Sequence, residues 1–339
     1  MYTRRNIRWS IILRFAWLKI IAFVAWSGLV VYCFHHAQHH GSDISIPFLP
    51  LSTIGIAVAF YIGFKNNASY DRFWEARKIW GGIVNYSRTW ANQVISFVTN
   101  MNAISQLSDE ELREEHRKLI YRHIAWLNAL RLHLRQPSSF SINHPKSVKA
   151  LTAGCSERRH WDEEVGGFLD AKEYDHLIEA SNTPTQIIRS QGEELKKMMT
   201  QSGLIENFRH MEMMRVLEEF YNLQGKCERI KNTPFPRQYA YFSKIFTWIF
   251  IILLPFGMVS EFAKMGHDSI WLTIPFTVLI SWIFNTIEVV GDNSEDPFEN
   301  FINDVPMTAL CRTIEIDLRE MLGETDLPPK VKPIKDILF

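Results

Sequence analysis

The residues from Ile46 to Phe64, IPFLPLSTIGIAVAFYIGF, carry no charge, and the next seven, KNNASYD, are mostly polar. At about 1.5 Å of rise per residue such a run crosses a bilayer core as a helix. Three more stretches share the pattern. The first ends near Phe34; Arg14 and Lys19 interrupt it early, leaving Ile20 to Phe34 deepest, with the basic side chains free to snorkel. The others are Tyr239 to Val259, with Pro255 set to bend it, and Ile270 to Val290. Between the second and third spans the apolar residues recur at helical spacing. Phe73, Ile79, Trp80, Ile83 and Trp90 extend the second span inward, and Ser108 with Glu111 forms a capping box. Behind that box Leu119, Ile120, Ile124, Leu127 and Leu130 make a buried stripe. Pro137 ends that helix, and the polar stretch to about Gly167 is expected to be a loop. Pro184 then opens a helix through Met199, and Gly203 separates it from another over Ile205 to Ile230.

This pattern predicts an all-α membrane protein with four transmembrane helices and a helical cytosolic domain. The expected divisions are an N-terminal hairpin of spans over 1–69, a helical domain over 70–235, a second hairpin over 236–291 and a cytosolic segment over 292–339. Charge sets the orientation. The loop HHAQHHGSDIS has no Lys or Arg, whereas Arg4, Arg5 and Arg8 precede the first span and Lys65, Arg72, Arg77, Lys78 and Arg88 follow the second. The positive-inside bias therefore puts both termini in the cytoplasm. A cleaved signal peptide is not expected, because no small-residue cleavage site follows and a second span arrives within about a dozen residues.

Composition changes this picture little. The 339 residues are 47% hydrophobic and 22% charged, with a formal net charge of zero, so no electrostatic case for a nucleic-acid partner exists. The four cysteines, Cys33, Cys155, Cys227 and Cys311, are scattered and form no CxxC pair, which fits free thiols rather than a zinc knuckle or a disulfide scaffold. No Walker loop, GxGxxG, GxSxG or HExxH occurs, so nucleotide binding and hydrolysis lack their usual signals.

The second span carries two adjacent stripes. Gly55, Ala59 and Gly63 are small residues that let another helix come close; Ile56, Phe60 and Phe64 are bulky and line a hydrophobic throat if several copies ring one axis, or face lipid if they do not. Asp71 and Glu75 lie seven and eleven residues beyond Phe64, either as charges of an inner vestibule or as partners of Arg72 or Lys78. His35, His36, His39 and His40 form two i,i+4 pairs when helical, a spacing able to chelate a transition metal or sense protons, or simply a solvated helix end. Glu288 sits near the inner end of the fourth span, where a carboxylate must be solvated or paired. Asp292, Glu295, Asp296, Glu299 and Asp304 follow, enough oxygens for calcium but without EF-hand order; a structural cap and belt is the alternative.

The chain resembles the bestrophin family, in particular its prokaryotic branch. The resemblance rests on Ile46-Pro47, Gly63-Phe64 and Arg72-Phe73-Trp74, then on Asp296-Pro297-Phe298 and Asn303-Asp304-Val305-Pro306, in that order. It implies a homopentameric ion channel rather than an enzyme, surrounded by membrane lipid, in a bacterial inner membrane. It also implies a pore neck at Ile56, Phe60 and Phe64, and a second, cytosolic constriction placed here at Ile187 or Ile188. Animal members carry a run of aspartates after the Pro-Phe pair. Here that run reads ENFIND, leaving Asp296 and Asp304 as a possible cation belt; this argues against calcium gating, and no cofactor is expected. Prokaryotic relatives imply conduction of monovalent cations such as sodium. The alternatives are chloride conduction by the same architecture, or a non-conducting scaffold.

Overall fold

Helix is the regular structure of the described residues, which in this computed structural model are 1–6, 8–41, 43–136 and 161–339. The helices are α1 (Trp9–His39), α2 (Phe48–Phe97), α3 (Asp109–Arg135), α4 (Trp161–Glu164), α5 (Ala171–Ile178), α6 (Thr183–Lys197), α7 (Asn207–Asn232), α8 (Arg237–Lys264), α9 (Thr273–Asp292) and α10 (Met307–Met321). No strand occurs among the described residues, only isolated bridges joining Ile337 to Tyr2 and Ile334. The expected helix stop at Pro137 and the start of the loop after it lie outside the described residues.

The chain divides into two units. One holds Arg4–Arg72 and Pro234–Glu295; the other holds Met1–Thr3, Phe73–Thr233 and Asp296–Phe339. The division falls inside α2, whose 50 residues are too long for a bilayer core alone.

In the first unit α1, α8 and α9, together with the first half of α2, supply helices long and apolar enough to cross a membrane. α8 continues through Pro255, which lies inside it. α9 begins after a 3-10 segment, His267–Leu272, so its α-helical part starts three residues later than the apolar pattern does. The core of this unit is a set of interlocking side chains: Leu51, Val58 and Ile62 of α2 pack with Phe250, Leu254 and Met258 of α8. Two glycines let these helices meet. A Cβ on Gly55 would lie 2.8 Å from the Phe250 ring, and one on Gly257 would lie 2.4 Å from Leu51.

The second unit is organised around α3. Its capping box is present: the Ser108 hydroxyl accepts from the Glu111 amide at 3.2 Å, and Glu111 accepts from the Ser108 amide at 2.8 Å. Leu119, Ile120, Ile124, Leu127 and Leu130 are fully buried, as their period requires. α6 starts with Pro184 in its first turn and Asn182 capping the Thr185 amide, then passes into a π turn, Met198–Ser202. Gly203 ends it at φ +69°, where a Cβ would collide with the Asn102 carbonyl. Ile187 and Ile188 of α6 are 1% and 3% exposed, within the core. This corrects their expected place at a constriction, since a side chain consumed by packing inside one chain is not available to line a pore.

Candidate functional site

α2 buries one face and leaves the other bare. In the first unit the buried positions are Leu51, Gly55, Val58, Ile62, Lys65 and Ser69, a three-and-four spacing that follows one side of a helix. Between them Ile56, Phe60 and Phe64 are 60%, 65% and 65% exposed. Leu49, seven residues before Ile56 and so on the same face, is also exposed; sequence reasoning passed over it. Of the small stripe, Gly55 receives Phe250, whereas Ala59 and Gly63 are exposed, and Gly63 has nothing near its Cβ position. Ala59 and Ile56 instead border an apolar groove of about 260 Å³ with Phe48, Leu51, Phe250 and Phe284.

What fixes this rotation is a buried charge. Lys65 directly follows Phe64, yet it is 0% exposed. Its ammonium donates to Glu288 at 2.7 Å and also contacts Asp292 of α9, while the Ser243 hydroxyl of α8 donates to the other Glu288 oxygen at 2.7 Å. Asn66 adds a 3.0 Å bond to the Ile287 carbonyl, and the Arg72 guanidinium donates to the Glu295 carbonyl at 2.7 Å. Turning α2 so that Phe64 faced inward would strip Lys65 of both carboxylates, at a cost of several kcal/mol for an unpaired buried ion. The polar cluster therefore holds the apolar stripe outward. Glu288 was legible as a carboxylate in need of a partner. Lys65 and Ser243 were not, although Lys65 falls on the same three-and-four register as Leu51, Val58 and Ile62.

The remaining sequence candidates are dispersed. Asp71 is exposed and has no ion-pair partner among the described residues, while Glu75 pairs with Arg229 rather than with Arg72 or Lys78. In the acidic segment Asp292 is held by Lys65 and Glu299 by Lys231, and Asp296 is half-buried. Asp304 is buried, with its carboxylate accepting from the Phe301 amide at 2.9 Å, and burial lifts its pKa to about 7. That placement corrects its reading as part of an ion-facing belt. The His35–His39 and His36–His40 rings sit 4.7 Å apart as two i,i+4 pairs, and His267 joins the first at 5.0 Å from His35. Among the described residues no three His, Cys, Asp or Glu side chains are arranged to hold a metal.

Four apolar spans, two of them clamped by a buried lysine and its carboxylates, with a bare Ile/Phe face beside them, define a helical integral membrane protein. The chain matches the family model described as bacterial/fungal bestrophin protein over residues 4–320. It belongs to the bestrophin family, and it is therefore an ion channel rather than an enzyme. It is 30% identical over 292 residues to the voltage-dependent anion channel-forming protein YneE of Salmonella typhi, covering 86% of this chain and 82% of that one. A voltage-dependent anion channel-forming protein of Mesorhizobium japonicum is 29% identical over 322 residues, covering 95% and 89%. A crystal structure of a bacterial bestrophin homologue from Klebsiella pneumoniae aligns with a TM-score of 0.73 at 25% identity, covering 91% of this chain and 98% of that one.

Proposed function

We propose that the protein is a homopentameric, anion-conducting channel of a bacterial inner membrane, with both termini in the cytoplasm and a neck lined by Ile56, Phe60 and Phe64. The observation that carries this reading is the exposed Ile/Phe face of α2, held outward by the Lys65 cluster in a chain of this family. In a bilayer such a face meets either lipid or other copies of the chain, and membership of a channel family favours other copies.

The resemblance to prokaryotic bestrophins inclines to cations, but the Salmonella and Mesorhizobium relatives carry anion-channel names, so the anion alternative has the stronger support. The chemistry of the stripe is compatible with it. An uncharged neck offers a bare ion nothing to offset desolvation, which costs tens of kcal/mol on a Born estimate. Passage must then depend on wetting and width, with ions keeping much of their hydration. Phe60 and Phe64 add a bias, because an aromatic ring is electropositive at its edge, and edges turned toward an axis favour a passing anion over a cation. The absence of Lys and Arg from the loop over residues 35–45, against Arg4, Arg5 and Arg8 before α1, supports the cytoplasmic placement of the N-terminus.

Purified protein reconstituted in planar bilayers under a KCl gradient tests the reading. The reversal potential is expected to lie on the chloride side of zero. Reversal on the potassium side would return the cation reading, and sealed, silent membranes at confirmed protein density would leave a scaffold.

A further inference from the structure

Lys19 of α1 and Lys244 of α8 are charges inside apolar helices, and no carboxylate partner for either is found among the described residues. Their own helices cannot supply one: α1 holds no acid at all, and in α8 the first is Glu261, near the opposite end. The acids of α9 that lie within the unit, Glu288 and Asp292, are engaged by Lys65. A cation in a membrane helix is costly unless something answers it.

What answers Lys19 is partly visible. Its ammonium lies 4.6 Å above the centre of the Trp248 ring, within cation–π range. Lys244 precedes Trp248 by one turn of α8 and so lies on the same side of that helix. Lys19 thus stands over the indole and Lys244 shares that indole's side of α8, so two like charges fall on one side of the helix pair. An anion between them would relieve both. The surroundings specify what sort of anion: Leu18 and Ile21 of α1 are 63% and 58% exposed, and Tyr241 of α8 is 64% exposed. A soluble ion has no use for that apolar rim, whereas acyl chains do, and a Tyr/Trp pair with lysines is the composition of the interfacial belt.

We propose that Lys19, Lys244 and Trp248 form a binding site for an anionic phospholipid. Its phosphodiester sits between the two ammonium groups and its acyl chains run along Leu18 and Ile21. The site lies at the N-terminal ends of α1 and α8 and does not depend on which ion the channel passes.

Native mass spectrometry of the full-length protein in detergent, with phosphatidylglycerol or phosphatidylcholine of identical chains, reads the site directly. Wild type is expected to retain phosphatidylglycerol preferentially. The Lys19→Gln/Lys244→Gln pair should retain it about thirtyfold less well, the scale expected for two lysines at an anionic surface. Lys19→Arg/Lys244→Arg should keep it. Equal retention of the two lipids by wild type, or undiminished phosphatidylglycerol in the glutamine pair, would overturn the proposal. So would displacement by sn-glycerol 1-phosphate as efficient as by the lipid, which would mark a simple anion site. Should the glutamine pair fail to assemble, brominated lipids give a second reading. Brominated phosphatidylglycerol should quench wild-type tryptophan fluorescence more than brominated phosphatidylcholine, and Trp248→Phe should abolish the difference; equal quenching in wild type overturns the site.

Discussion

His123 and Asp304 are both buried in the unit built around α3, and burial moves their protons in opposite senses. The His123 ring is wedged against Phe220 and Trp126, at 4.5 and 5.1 Å, with the Ser87 hydroxyl 2.9 Å from Nε2. Desolvation of the imidazolium pushes its pKa down to about 3. The folded protein keeps His123 neutral while the unfolded chain takes up a proton below about pH 6.5, so stability falls as pH drops from there toward 3. Asp304 is the reverse. Its carboxyl keeps a proton up to about pH 7 when folded, whereas the unfolded chain releases it near 4, so stability falls as pH rises through that interval. The two windows overlap between about pH 4 and 6.5, where the effects oppose each other, so melting temperature followed against pH separates them only in the single variants. His123→Gln should flatten the acid limb by one proton, about 1.4 kcal/mol per pH unit. Asp304→Asn should flatten the rise-side loss and melt higher than wild type at pH 8. Neither was legible from sequence: Asp304 sits in a run of acids that reads as solvent-facing, and His123 lies in a helix rich in exposed charge. Their burial is decided by what α3 packs against, not by their neighbours in the chain.

At the scale of the element, α2 shows what periodicity can and cannot say. Both of its membrane-level stripes recur every four residues, and both are apolar or small, so spacing identifies two faces without telling which is covered. The deciding residue is Lys65. A lysine just past an apolar run is ordinarily taken as the point where the helix meets water, yet here it is buried opposite the Ile/Phe stripe and fixes the helix by rotation. The register extends past the division between units: Ala76, Trp80, Ile83, Ser87, Trp90 and Val94 are all buried, and of these the sequence pattern had marked Trp80, Ile83 and Trp90. Lys65→Met alone should destabilise the protein by about 3–5 kcal/mol, because Glu288 would remain buried with only Ser243 to satisfy it. The pair Lys65→Met/Glu288→Met should recover most of that loss, since removing both charges removes the desolvation penalty with them. Thermal unfolding in detergent distinguishes these outcomes. A single variant as stable as wild type would mean that the cluster does not hold α2.

For the molecule as a whole, the four spans and the helical class were readable because a bilayer imposes a length and a composition that no local packing overrides, and the family was readable from ordered motifs such as Arg72-Phe73-Trp74 and Asp296-Pro297-Phe298. Assembly was less so, since a pore face and a lipid face are written in the same residues until other copies are present. The proposed pentamer gives the difference a consequence. If Ile56, Phe60 and Phe64 encircle the axis, replacing Phe60 or Phe64 with Ala widens and wets the neck, and single-channel conductance should rise by several-fold while gating weakens. If they face lipid, conductance stays at its wild-type value. Asp71 extends the argument to selectivity. It falls seven residues after Phe64, on the same side of α2, exposed and without an ion-pair partner among the described residues. A ring of such carboxylates at the inner mouth opposes the entry of anions and concentrates cations. In an anion channel that ring acts as a brake, so Asp71→Lys should move the reversal potential under a KCl gradient further toward that of chloride and increase current. The effect should shrink as ionic strength rises and screening shortens the reach of the charge. A reversal potential that Asp71→Lys leaves unmoved at low salt would take Asp71 off the ion path and leave selectivity to the neck alone.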